Sequence, residues 1–109
     1  MKSIIALICI VTTLLWAAPA FAAGDAAAGK EVFAKKCASC HGASGEGKES
    51  IAKTMKVTMR HLGSSEVQAK TDAELKKNTL EGSGKMKGVT GLDAKAVDDL
   101  VAYLRTLKK

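Results

Sequence analysis

Cysteine, proline and aromatic residues are all scarce in this 109-residue chain, with three cysteines, one proline, two phenylalanines, one tyrosine and one tryptophan. Three cysteines cannot build the dense disulfide framework on which many small exported domains rely. The one proline is Pro19 and the one tryptophan is Trp16, so beyond residue 23 the turns depend on glycine. The core there has only Phe33 and Tyr103 to add to its aliphatic side chains. Few aromatics and no concentrated basic stretch among them exclude a nucleic-acid surface. No segment alternates apolar and polar residues over the length of a strand, and none repeats. A Ser/His/Asp set, a carboxylate pair beside a histidine and a phosphate-binding glycine loop are also missing, so no enzyme activity is expected.

The N-terminus reads as an export signal. Lys2 is the only charge before an uncharged run of 21 residues from Ser3 to Ala23. Ile4 to Trp16 form its apolar core, and Ala20-Phe21-Ala22 after Pro19 is an A-x-A cleavage site. The expectation is a signal peptide over residues 1–22, removed to leave one domain over 23–109 with no permanent membrane span. The alternative is an uncleaved anchor, since a run of this length can just cross a bilayer. No twin-arginine pair is present, so export is expected as an unfolded chain. Cleavage would also remove Cys9, leaving Cys37 and Cys40 alone. The formal net charge of +6 falls by one with Lys2. A mildly basic exported domain suits acidic protein partners or anionic surfaces. A domain this small is near the lower limit for a self-sufficient core and benefits from a staple.

The two remaining cysteines lie in Cys37-Ala38-Ser39-Cys40-His41. C-x-x-C-H is the attachment signature of a c-type haem. Two thiols three positions apart fit within a helical turn, where both can form thioethers to the haem vinyl groups. His41 then lies under the iron as its proximal ligand. One motif means one haem c, and a covalently held porphyrin would add the apolar mass that the composition lacks. Two other chemistries use similar residues. A redox dithiol would need a strand-to-helix junction, and no strand is evident. A zinc module built on Cys37, Cys40, His41 and His61 would need adjacent Cys40 and His41 to face one ion, and it lacks a second closely spaced ligand pair.

Three segments read as helices, which makes the chain all-α. The first runs from Asp25 as N-cap through Cys37, with Phe33, Cys37 and Cys40 at i, i+4 and i+7 on one face. Gly42 ends it, and Gly42 to Gly47 reads as a flexible turn. The second opens on the capping box Thr71-Asp72-Ala73-Glu74, continues through Leu75 and Leu80 and stops at Gly82. The third starts at Asp93 and carries the stripe Val97, Leu100, Val101, Leu104 and Leu107. Residues 49–62 are ambiguous, although Ile51, Met55 and Met59 have the spacing of a short helix. Residues 82–88 hold three glycines and read as a loop.

A six-coordinate iron needs a second axial ligand, and Met55, Met59, Met86 and His61 are the candidates. Met86 is favoured because its glycine-rich loop lets the backbone approach a haem face. Met55 and Met59 suit gap-filling against the porphyrin. His61, between Arg60 and Gly63, suits a surface turn.

With these residues in place, the chain over 24–109 resembles a small single-haem class I cytochrome c of the bacterial kind. Gly29-Lys30-Glu31-Val32-Phe33 is similar to the family's N-terminal helix, and Val101-Ala102-Tyr103-Leu104 to its C-terminal partner. The resemblance implies three main helices around one haem. It also implies that the terminal helices cross through Gly29 and Phe33 against Leu100 and Tyr103. The family's distal methionine falls on Met86. The chain departs from the family in having Lys87 where a proline often follows that methionine. It also lacks the proline whose carbonyl orients the proximal histidine, so another backbone carbonyl must bond His41. No tryptophan is present beyond the leader to hold a propionate.

The expected function is a soluble periplasmic electron carrier with His41/Met86 ligation, acting as a monomer. With both axial positions filled, the iron can change oxidation state with little rearrangement. Lys85 and Lys87 flank Met86, and Lys35 and Lys36 precede the motif. If these ring the haem edge they steer the protein toward acidic patches on redox partner proteins. Were Met86 not a firm ligand, the alternative would be a sensor of gaseous ligands or a weak peroxidase. A haem subunit of a larger oxidoreductase complex is the remaining reading.

Overall fold

Helix α1, Ala26–Lys36, begins where Asp25 turns its carboxylate onto the N–H groups of Ala27 and Ala28. This computed structural model describes residues 24–109, so the signal and cleavage site expected over 1–22 lie outside the described residues. The helix expected to run through Cys37 stops one residue earlier. Cys37 adopts φ −122° and ψ −36°, and a short helix α2, Ala38–His41, restarts the chain. At Gly42 a φ of +81°, a conformation open to glycine, turns the backbone away.

The ambiguous stretch resolves into helix α3, Glu49–Met55, which ends at Lys56 in the left-handed region with φ 55°. Met59 therefore lies outside the helix that its spacing suggested. A four-residue helix α4, Ser65–Gln68, is capped by the Ser64 hydroxyl. It escaped the sequence pattern because four residues barely complete one period. Helix α5, Asp72–Glu81, has the expected capping box, with Thr71 and Glu74 each accepting from the other's backbone. Its buried face is carried by Leu75 and Thr79. Leu75 is buried but Leu80 is 47% exposed, and Thr79 is buried instead, donating its hydroxyl to the Leu75 carbonyl.

Residues 82–88, expected as loop, contain a small hairpin of β1, Gly82–Ser83, and β2, Met86–Lys87, with Ser83 opposite Met86. Gly84 and Lys85 form its tip. Two-residue strands are too short for alternation to register in sequence. Helix α6, Ala94–Thr106, starts at Asp93, whose carboxylate accepts the Ala96 N–H at 2.7 Å. Of its expected stripe Val97, Leu100, Val101 and Leu104 are buried, while Leu107 is the C-cap residue just beyond the helix and is half-buried. Among the described residues no helix is long and apolar enough to cross a membrane.

The core is the crossing of α1 and α6. Phe33 and Leu100 are each only 1% exposed, and the Phe33 and Tyr103 rings sit 5.2 Å apart at 56°. Burying two such side chains contributes about 1.5–3 kcal/mol each. Gly29 lets the backbones approach: a Cβ there would run into the Asp99 carbonyl and lie 2.9 Å from the Tyr103 Cβ. The expected pairing of Gly29 and Phe33 with Leu100 and Tyr103 is the observed one.

Candidate cofactor site

Beside this crossing lies a cavity of about 660 Å³, and the Cys37-to-His41 motif forms part of its wall. Phe33 and Leu100 also line it, so the helix crossing shapes the site. The kink at Cys37 brings both cysteines and His41 to the cavity. Neither cysteine is in a disulfide.

The turn after the motif is more tightly held than its glycines suggest. Gly47 donates to the His41 carbonyl at 2.6 Å and Lys48 to the Cys40 carbonyl at 3.0 Å. Leu62 donates to Gly45 at 2.8 Å, tying the turn to the far wall. The backbone carbonyls that end α2 are thereby satisfied, and the His41 backbone is held by a stitched frame in place of the flexible turn expected.

Burial lowers the His41 pKa below the ordinary histidine value, which favours the neutral, metal-ligating form. Its Nδ1 atom is buried and has no hydrogen-bond partner. The expectation that another backbone carbonyl replaces the missing proline's is therefore not met. Burial, and secondarily the neighbouring Cys40, push the Cys37 thiol up to about 11, so it is protonated at neutral pH.

Met55, Met59 and Met86 all border the cavity, on the side contributed by α3, the segment after it and the hairpin. His61 is not among the lining residues. Its Nδ1 instead accepts the Gly63 N–H at 2.8 Å, the surface-turn role expected of it. Met55 and Met86 are each 36% exposed, and both sit at the cavity mouth.

The charged lining is entirely basic. Of the four lysines named from the sequence, Lys36, Lys85 and Lys87 border the cavity and Lys35 does not. Arg60 and Lys70, which carried no signal in the sequence, join them, and among the described residues no carboxylate lines the wall. Arg60 also pairs with Glu66 at 2.5 Å. These positions lie in irregular segments, where no periodicity reveals which way a side chain faces.

An apolar cavity flanked by two free thiols and a neutral imidazole suits a porphyrin held by thioethers and one axial nitrogen. Among the described residues no three or more His, Cys, Asp or Glu side chains converge as a metal site, which leaves the zinc module without a donor set. The dithiol reading also lacks its strand-to-helix junction, since the only sheet among the described residues is the hairpin. The family described as Cytochrome c matches residues 26–108.

The chain belongs to the cytochrome c family. It is 38% identical over 93 residues to cytochrome c-554(547) of Halothiobacillus neapolitanus, an alignment covering 79% of this cytochrome and all of that one. Its fold is similar to that of KustC0563, a c-type cytochrome, with a TM-score of 0.64 and 25% identity. That match covers 74% of this cytochrome and 98% of the other chain. Membership supports haem-based electron transfer and implies a covalently bound haem c. The small all-α cytochrome c fold anticipated from the motif and helices is the fold observed.

Proposed function

We propose that this cytochrome is an exported, monomeric, single-haem electron carrier. Its haem c is joined to Cys37 and Cys40, and its iron is ligated by His41 and Met86. The observation that carries this reading is that His41 and Met86 line one cavity while His61 is engaged outside it.

When bound, the haem supplies a one-electron ferrous/ferric couple. The protein's part is placement and environment. His41 presents a neutral imidazole from a frame fastened on both sides of Gly42. Met86 offers a soft thioether from the hairpin, and a His/Met pair favours a raised potential. Phe33, Leu75, Leu100 and Leu104 give the cavity apolar walls that limit water and so favour the less charged iron state. The basic rim supports transient docking against acidic surfaces of redox partners, at a cofactor edge near the mouth. The apolar run and A-x-A site in the sequence of residues 1–22 read as an export signal, which supports a periplasmic location.

The test is the ferric absorption spectrum. A methionine-to-iron charge-transfer band toward the red, present in the wild type and lost in Met86→Ala, is the expected result. The Met86→Ala variant should also show a lower potential and should bind exogenous ligands. Loss of the band in Met55→Ala or Met59→Ala, with Met86→Ala unaffected, would reassign the ligand. A wild type without the band and with a five-coordinate ferrous spectrum would replace electron carriage by a gas-sensing or peroxidase role.

A further inference from the structure

Lys85, at the tip of the hairpin and next to Met86, donates from Nζ to the Met55 carbonyl oxygen at 2.7 Å. The two residues are 30 positions apart and border the cavity from different elements. Met55 is the last residue of α3, so its carbonyl is one of those a helix leaves without an internal partner. A lysine is well suited to such an acceptor, since its positive charge also complements the negative end of the helix dipole.

Among the described residues the other hydrogen bonds that fasten the hairpin to its surroundings lie near its base. Val89 donates to the Thr79 carbonyl at 2.8 Å, and Gly82 donates to Asn78 as the C-cap of α5. Among the described residues the Lys85 bond is the tip's hydrogen bond to the α3 side of the cavity. A side chain on Gly84 would meet nothing within 4 Å, so the tip is open on that residue's outer side.

We infer that Lys85 is a positioning residue that latches the Met86 hairpin to the end of α3 and keeps the methionine in place against competing ligands. This rests on the reading of Met86 as the distal ligand. The latch opposes the outward swing of β2 that must precede replacement of the thioether. Lys87 carries the same charge on the other side of Met86 but makes no hydrogen bond to α3. Charge and latch can therefore be separated.

The experiment uses the haem-loaded ferric protein and follows its charge-transfer band while imidazole is added. Lys85→Leu removes the donor without adding a second thioether beside Met86, and Lys87→Leu removes an equal charge nearby. A net hydrogen bond of about 1 kcal/mol converts to an approximately five-fold faster replacement of the methionine in Lys85→Leu than in wild type or Lys87→Leu. Lys85→Arg, which restores a donor, should recover much of the wild-type rate. If the wild type shows the band but Lys85→Leu and Lys87→Leu exchange at equal rates, the latch is overturned and the Met86 reading stands. If the wild type has no band, the Met86 reading fails and the latch fails with it.

Discussion

The Asp99 carboxylate on α6 accepts the backbone N–H of Asp25 at 2.8 Å, across 74 positions of sequence, and so joins the start of α1 to the middle of the last helix. Its second oxygen accepts from Lys95 at 2.7 Å. Asp99 is 5% exposed, and removing its side-chain oxygens would leave the Asp25 amide without its partner.

Lys95 first, then the Asp25 amide, hold the Asp99 carboxyl below the ordinary value of 3.8. A carboxyl lowered on folding contributes stability that is fully present above its unfolded value. That stability is lost as pH falls through the lowered folded value. Urea unfolding followed from pH 6 to pH 3 should therefore show a falling midpoint below about pH 4 in wild type. Asp99→Asn should be less stable than wild type at pH 6 and should show a shallower fall. Parallel pH profiles would refute this role for the carboxylate.

Gly29→Ala should destabilise the cytochrome by about 1–3 kcal/mol, because the added methyl meets backbone at Asp99 that cannot move aside as a side chain would. Thermal unfolding of the haem-loaded protein measures this. An unchanged or raised midpoint would show that the α1/α6 crossing has slack that the packing does not reveal.

The Gln68 amide nitrogen donates to the Leu62 carbonyl at 2.9 Å and to the Leu104 carbonyl at 3.0 Å, joining two cavity-lining residues on different segments. Arg105 reinforces the same strap through the Gln68 carbonyl at 2.9 Å, the Lys70 carbonyl at 2.7 Å and Asp72 at 2.7 Å. Gln68→Ala should cost about 1–3 kcal/mol in chemical denaturation. The exposed Asp72→Ala change should cost no more than about 1 kcal/mol. Equal losses would mean that the strap is held by its ion pair and not by the glutamine.

Association with an acidic redox partner should slow as ionic strength rises from low to physiological, because exposed charges lose their mutual attraction beyond a Debye length. Stopped-flow rates in a salt series check this. Lys36→Gln and Lys70→Gln, on the cavity rim, should slow association more than Lys77→Gln on the exposed side of α5. A rate that ignores salt would remove electrostatic steering from the proposed function.

Local chemistry was legible where a few adjacent residues suffice to specify it. The Asp25, Thr71 and Asp93 caps could be read because a cap depends on residues within one turn. The α6 stripe was legible for the same reason, as thirteen residues span enough periods to show a face. Helix α4 and the hairpin escaped because their elements are shorter than the periods by which they would be recognised. That Leu80 is exposed on α5 while Thr79 is buried had no local marker, because apolar character says nothing about which neighbour the helix meets. At the site, Lys36, Lys85 and Lys87 were anticipated from their closeness to the motif and Met86. Arg60 and Lys70 had no comparable local marker.

By itself the sequence determined the cofactor chemistry, the single attachment motif and the helical character, because thiol spacing, caps and helical periodicity are short-range properties. Tertiary structure alone decided which side chains share the cavity with His41. It separated His61 from Met55, Met59 and Met86, left His41 Nδ1 without a carbonyl and carried Lys85 across 30 positions to the Met55 carbonyl. These outcomes depend on where separate elements come to rest against one another, and a long-range contact has no fixed spacing along the chain from which to read it.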